Sequence, residues 1–102
     1  SAPMGPWITP KAEIADPQNL KLNTWVNGEL KQDTHSKWMV FTIAEQIEAL
    51  SEHFTLLAGD VIASGTGSGV GHPSATYLNA GDVCRIEIEG LGVLENPIVK
   101  GE

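Results

Sequence analysis

The sequence is organised around the stretch Leu20-Lys-Leu-Asn-Thr-Trp-Val-Asn-Gly-Glu-Leu-Lys-Gln-Asp33, which predicts a β-hairpin. Apolar or β-branched residues occupy every second position from Leu20 to Val26, which is the side-chain period of a strand. Asn27-Gly28 then supplies the favoured two-residue turn, because both central residues of that turn need a positive φ. The return strand is predicted over residues 29–33.

Further elements follow the hairpin and place the chain in the α+β class. Thr42 and Glu45 fit a capping box, with the threonine as N-cap, at the start of a helix predicted over residues 43–53. Residues 83–89 alternate between apolar and charged side chains, which predicts a strand, and a last strand is predicted over residues 93–95. The expected fold is therefore α+β and mostly β, with one amphipathic helix.

Composition limits the size and the partners of the protein. The 102 residues form at most one small domain, and 41% hydrophobic residues are enough to bury a core. Six basic residues stand against thirteen acidic ones, so the net charge is −7, which argues against nucleic acid and anionic membranes as partners. The one cysteine cannot form an internal disulfide. A reducing, cytoplasmic location is therefore expected. No apolar run approaches the ~20 residues of a membrane span.

A glycine-rich loop is the strongest candidate for a ligand site. Residues 61–63, Val-Ile-Ala, have the length and composition of a buried strand, and glycine then recurs at positions 65, 67, 69 and 71. Ser64, Thr66 and Ser68 supply hydroxyl groups between the glycines. A small polar loop at a strand end can hold a carboxylate or enolate with its backbone N–H groups. Composition alone leaves open the alternative of a surface loop that binds no ligand.

Known nucleotide and hydrolase motifs do not fit this loop. The dinucleotide fingerprint needs glycine where Val70 or His72 stands, and a Walker A loop needs a lysine, which is missing here. A hydrolase elbow, G-x-S-x-G, needs glycine two residues before and two residues after the serine, where Ser68 has Thr66 and Val70.

Three further side chains, Glu87, Glu89 and Trp7, are interpreted as structural rather than ligand-binding. Glu87 and Glu89 share one strand face and could grip a divalent cation, but a solvated face with Arg85 as a neighbour is favoured. Trp7 is predicted to pack in the core.

Several segments together resemble the fumarylacetoacetate hydrolase family, and they cover nearly the whole chain in one order. Their combination is specific, whereas no single segment would be. They read Pro3-Met-Gly-Pro-Trp-Ile-Thr9, Asp16-Pro-Gln-Asn-Leu20, Thr24-Trp-Val-Asn-Gly-Glu29, Leu57-Ala-Gly-Asp-Val-Ile62, Ser64-Gly-Thr-Gly-Ser-Gly-Val-Gly71, Leu78-Asn-Ala-Gly-Asp-Val83 and Glu87-Ile-Glu-Gly-Leu-Gly-Val-Leu-Glu-Asn-Pro97.

The resemblance implies a mixed β-roll of the fumarylacetoacetate hydrolase C-terminal domain type, usually in a homodimer. Members act on small 2-oxo and 1,3-dicarbonyl acids: some hydrolyse acylpyruvates, and some isomerise or decarboxylate 2-hydroxy-dienoic diacids, which suggests aromatic catabolism. The resemblance also implies Mg²⁺ or Mn²⁺, which would chelate the substrate carboxylate and enolate oxygen as a Lewis acid. The family's substrate-contacting Gly-Thr corresponds to Gly65 and Thr66, with Ser64 and Gly67 beside them. Many members have proline in place of Gly67, so the glycine is expected to loosen the loop.

The family's metal ligands, a Glu-x-Glu pair and an aspartate, and its active-site lysine are expected upstream of Ser1. Residues 1–102 are therefore expected to be the C-terminal portion of a single catalytic domain and to be inactive alone. No catalytic or metal-binding residue is assigned within them. The first hypothesis is a metal-dependent C–C hydrolase or isomerase of small oxo acids. The second is a non-catalytic, β-rich binding or regulatory module that lacks the metal half.

Overall fold

A four-stranded antiparallel sheet is the framework of the chain in a computed structural model, which describes residues 3–67 and 78–100. The strands are β1 (Lys21–Val26), β2 (Glu29–His35), β3 (Val83–Ile88) and β4 (Gly92–Pro97). Their order across the sheet is β2-β1-β3-β4, so the two hairpins meet where β1 pairs with β3. Together with one α-helix among the described residues, this sheet confirms the predicted α+β, mostly β class.

The first hairpin forms as predicted, and its turn shows why. Asn27 and Gly28 have φ angles of 52° and 80°, the positive values that this turn requires. β2 runs two residues beyond the predicted end, because Thr34 and His35 still find partners on β1. A bulge next to Thr24 shifts the register between the two strands.

The helix α1 spans Ile43–Ser51 and begins at the predicted capping box. The Glu45 backbone N–H donates to Thr42 Oγ1 at 3.1 Å, and the Thr42 N–H donates to Glu45 Oε1 at 2.9 Å. The helix ends earlier than predicted. The backbone N–H groups of residues 53 and 54 both turn onto the carbonyl of Leu50, at 3.1 and 2.9 Å.

Two turns of similar sequence, residues 57–60 and 79–82, share one geometry. In each, the aspartate carboxylate accepts a hydrogen bond from the first residue's N–H at 2.8 Å, and the glycine has a φ of 93°. The second turn leads into β3. The first does not lead into a strand.

Two burial predictions were wrong, and both depended on partners distant in sequence. Residues 61–63 are not a buried strand: Val61 is 71% exposed, and no described strand pairs with them. Trp7 is 65% exposed rather than in a core. Its ring edge nevertheless packs on β4, where a Cβ at Gly92 would lie 2.8 Å from Trp7 Cζ2.

Main-chain pairing holds this framework together more than side-chain burial does. Among the described residues no apolar side chain is buried, and the one buried polar residue is Ser36, at 7% exposure.

No helix of the described ranges combines the length and hydropathy needed to cross a membrane.

Candidate ligand-binding cleft

One face of the sheet carries an open cleft of about 600 Å³, a size common among small-molecule sites. Its floor comes from three neighbouring strands, whose register places the side chains together. Leu22 lies opposite Thr34, and Thr24 lies opposite Gln32 on one side and Ile86 on the other. The floor is therefore part apolar and part amide and hydroxyl.

The glycine loop forms one wall of the cleft. Ser64, Gly65, Thr66 and Gly67, the four residues proposed from the sequence, all line it. Gly65 has a φ of 104°, which side-chain-bearing residues rarely adopt, so a glycine is needed there. The remainder of the loop, including Ser68, lies outside the described residues. The structure thus brings the four residues to one cleft, while their role in binding substrate stays a prediction.

This wall is docked on β2 through two residues that the sequence analysis did not single out. Gln32 Nε2 donates to Thr66 Oγ1 at 2.9 Å and to the Gly67 carbonyl oxygen at 3.4 Å. Gly67 lies against Thr34, and a Cβ built at Gly67 would be 3.0 Å from Thr34 Oγ1. The one available signal was strand alternation, which places Gln32 and Thr34 on one face. Nothing in that pattern showed that the loop would meet them.

Another part of the cleft lining follows a short 3-10 turn, Ser36–Trp38, and is held by part-buried polar contacts. Ser36 Oγ accepts the Leu20 N–H at 2.8 Å. Gln18 donates to the Ser36 carbonyl at 3.0 Å and accepts the Ile43 N–H at 2.8 Å, so it links this turn to the start of α1. The side chains that it supports on the cleft wall are Trp38, Met39, Val40 and Phe41.

The electrostatic character of the cleft suits an anionic ligand. None of its described lining residues is a carboxylate, and the titratable one is His35. His35 is the last residue of β2, and its Nδ1 accepts the Lys37 N–H at 3.1 Å. The neutral ring therefore carries its proton on Nε2. Hydroxyl, amide and imidazole donors line the cleft without an opposing negative charge.

The acidic side chains of the described residues do not form a metal centre. No group of three or more histidine, cysteine, aspartate or glutamate residues comes together within residues 3–67 and 78–100. Glu87 and Glu89 are both exposed, and the Glu87 carboxylate faces Arg85 at 3.7 Å. They form the solvated face that the sequence favoured.

Comparison with known proteins gives one consistent family. The family model for the fumarylacetoacetate (FAA) hydrolase C-terminal region matches residues 1–99. The oxaloacetate tautomerase YisK of Bacillus subtilis (strain 168) is 46% identical over 100 residues, which cover 96% of this chain and 33% of that protein. The 2,4-didehydro-3-deoxy-L-rhamnonate hydrolase of Sphingomonas sp. (strain SKA58) is 44% identical over 93 residues, 88% of this chain and 33% of that protein.

Solved structures confirm the expected fold type. Maleylpyruvate hydrolase from Sphingobium sp. SYK-6, crystallised with manganese(II) and pyruvate, matches with a TM-score of 0.88 and 37% identity over 96% of this chain and 35% of that one. A fumarylacetoacetate hydrolase from Exiguobacterium antarcticum matches with a TM-score of 0.90 and 41% identity, covering 95% and 35%. The chain thus spans about a third of the length of the relatives that it matches.

Proposed function

Because this chain belongs to the fumarylacetoacetate hydrolase family, we propose that it is the C-terminal portion of a metal-dependent catalytic domain that acts on small 2-oxo or 1,3-dicarbonyl acids. The observation that carries the proposal is the position of the Thr66 hydroxyl, on the wall of a cleft whose described lining contains no carboxylate. Relatives are named as a tautomerase and as hydrolases of oxo acids. Tautomerisation and cleavage next to a carbonyl both develop negative charge on an enolate oxygen.

In this proposal the glycine loop binds that negative charge. The Thr66 O–H donates to a carboxylate or enolate oxygen, and backbone N–H groups beside Gly65 donate to the same ligand. A hydrogen bond to a charged group contributes roughly 1.5–3 kcal/mol. If the bond strengthens as the enolate forms, it lowers the barrier and not only the dissociation constant. The loop side chains carry hydroxyl groups and no base, so the loop itself does not supply the group that takes the proton from carbon.

The metal is assigned outside this chain. The pyruvate-bound relative contains manganese(II). The described residues here bring no set of three ligands together and so do not fit a divalent ion by themselves. Mg²⁺ or Mn²⁺ binding is therefore expected only when the rest of the catalytic domain is present.

The exposed apolar surface supports an incomplete domain. The accessible surface is 8108 Å², whereas a compact monomer of this length has about 5,600 Å². Trp38 and Phe41 on the cleft wall are 65% and 63% exposed, and Val61 is 71% exposed. We propose that the upstream part of the same domain covers these side chains, that the complete enzyme is a homodimer, and that residues 1–102 alone are inactive.

A hybrid enzyme tests the proposal. In the B. subtilis tautomerase, the 100 residues aligned with this chain are exchanged for those of the chain; we call this protein the hybrid tautomerase. With Mg²⁺ or Mn²⁺ it is expected to tautomerise oxaloacetate, because the chain supplies the cleft and the remainder supplies the metal. Thr66→Val is expected to raise KM about tenfold or more, and Thr66→Ser, which keeps the hydroxyl, much less.

Two results would contradict the proposal. A folded, metal-loaded hybrid without activity on oxaloacetate, acylpyruvates or 2-hydroxy-dienoic diacids would favour the non-catalytic module. Turnover by residues 1–102 alone with added Mg²⁺ would refute the claim that the upstream part is needed. A matched control is Asp33→Asn, an exposed position of β2, which should leave the kinetics unchanged.

A further inference from the structure

The geometry points to Gln32 as a positioning residue that sets Thr66 as a hydrogen-bond donor towards an anionic oxygen of the ligand. This inference rests on the proposed function for the ligand, but the contact itself stands on the structure alone. Gln32 is half-buried on β2, and Thr66 lies 34 residues further along the chain. The residue would act through Thr66, without touching the reacting atoms.

The orientation of the Gln32 carboxamide follows from its second partner. Nε2 lies 2.9 Å from Thr66 Oγ1, a hydroxyl that could either donate or accept. It also lies 3.4 Å from the Gly67 carbonyl oxygen, which can only accept. The nitrogen end of the amide must therefore face the loop, because the opposite orientation would place two carbonyl oxygens together.

That orientation decides what Thr66 can offer to a ligand. Because a Gln32 N–H donates to Oγ1, the threonine keeps its own hydrogen for an acceptor. Donation into the oxygen also polarises the O–H bond and strengthens the next hydrogen bond of the series. The site at Thr66 thus keeps a hydrogen-bond donor for a carboxylate or enolate oxygen.

Thr34 supports the same arrangement from the side. The Gly67 backbone lies so close to Thr34 that an added Cβ would be 3.0–3.3 Å from three of its side-chain atoms. Gln32 and Thr34 share one face of β2, so the loop is held by a hydrogen bond at one position and by contact at the other. Placement of this kind on a rigid strand is what a hydrogen-bond donor to a developing charge requires.

Two substitutions in the hybrid tautomerase test the role of Gln32. Gln32→Met keeps the length of the side chain and removes the donor, so KM for oxaloacetate is expected to rise about five- to tenfold. In a Thr66→Val background the same substitution is expected to raise KM much less, because the main effect of Gln32 passes through the threonine hydroxyl. Asp33→Asn, the adjacent residue on the opposite face, is the matched control and should leave KM unchanged. Additive effects of Gln32→Met and Thr66→Val would overturn the inference.

Gln32→Glu supplies a readout that a merely structural role would not change. The ionised carboxylate accepts only, so it takes the Thr66 hydrogen and turns it away from the ligand. Below its pKa the introduced carboxyl group can donate to Thr66 Oγ1 again. The KM ratio to the unaltered hybrid is therefore expected to fall towards one as the pH falls from about 7 to 4.5, whereas the ratio for Gln32→Met should stay constant. A constant ratio for Gln32→Glu would contradict the inference.

A crystal structure of the hybrid separates this inference from the proposed function. The hydrogen bond between residues 32 and 66 is expected in the unaltered protein, with displacement of Thr66 in Gln32→Met. An inactive hybrid that shows both features would refute the function and leave the contact standing. A Thr66 side chain in the same place in both proteins would refute the positioning role whatever the activity.

Discussion

Gly67→Ala tests how closely the glycine loop is fitted to β2. The added Cβ would lie 3.0 Å from Thr34 Oγ1, 3.2 Å from its Cβ and 3.3 Å from its Cγ2. Favourable contacts between such atoms begin at about 3.5 Å. The loop must therefore move away from Thr34 by roughly 0.3–0.5 Å. This movement should displace Thr66, which directly precedes Gly67 in the loop.

Gly67→Ala is expected to change the free energy of unfolding and the free energy of ligand binding by different amounts. Overpacking costs about 1–3 kcal/mol in a core, and the lower end applies here because Gly67 and Thr34 are only half-buried. Replacing glycine by alanine also stabilises the folded state by about 0.4–1 kcal/mol where the backbone conformation allows it. Gly67 meets this condition, because it is not among the described glycines with positive φ. Stability is therefore expected to change little. Binding is expected to weaken by about 1 kcal/mol, because the 2.9 Å bond from Gln32 to Thr66 would stretch towards the limit of a hydrogen bond.

The assay is the KM for oxaloacetate of the hybrid tautomerase, in a double-mutant cycle. Gly67→Ala is expected to raise KM about fivefold, which corresponds to 1 kcal/mol. Thr34→Ala removes two of the three close atoms and should recover part of that loss, and Thr34→Gly should recover most of it. Thr24→Ala, on the neighbouring strand of the same face, is the control that should recover nothing. If the effects at 34 and 67 simply add, to within about 0.5 kcal/mol, the proposed contact does not set the loop.

Two further predictions concern local contacts. Thr42→Ala should lower the free energy of unfolding by about 1 kcal/mol, because it removes one half of the capping box with Glu45. Thr42→Ser keeps the hydroxyl and should retain most of that stabilisation. Urea unfolding measures both variants. At Asp82, the Asn79 backbone N–H and then the Asn27 side chain lower the pKa from its ordinary value of 3.8. The charged form therefore stabilises the fold above that pH, and the contribution is lost as the pH falls through the lowered pKa. Asp82→Asn should weaken this acid dependence, measured by unfolding at pH 2–6; an unchanged pH profile would contradict the assignment.

The features that could be predicted from the sequence are those determined by near neighbours in the chain. The turn at Asn27-Gly28 depends on the φ angles of two residues, and the capping box of Thr42 depends on a residue three positions later. Both formed as predicted. Residues 61–63 and Trp7 have equally apolar sequences, but burial needs a partner surface, and no local pattern shows whether one is present. The two wrong burial predictions therefore concern contacts between residues distant in sequence, and not secondary-structure propensity.

The same division applies to the candidate cleft. Glycine spacing indicated the loop, and the positive φ of 104° at Gly65 is the kind of conformation that calls for glycine, whereas the family resemblance singled out Gly65 and Thr66 within it. No feature of the sequence indicated Gln32. A polar residue in a hairpin strand is ordinary, and its importance comes from a loop 34 residues away that folds onto it.

Under the proposed function, the same upstream part of the domain would complete both the fold and the site. The four strands are joined by three antiparallel pairings, yet no apolar side chain of the described residues is buried. Trp38 and Phe41 are both exposed apolar surface and the wall of the cleft. A partner that covers the outer side of this wall would bury apolar area, at about 25 cal/mol per Å², and would at the same time close the cleft around Thr66. Stability and ligand affinity should therefore rise together when the upstream part of the domain is supplied, which is the behaviour expected if the chain and the catalytic site belong to one cooperative unit.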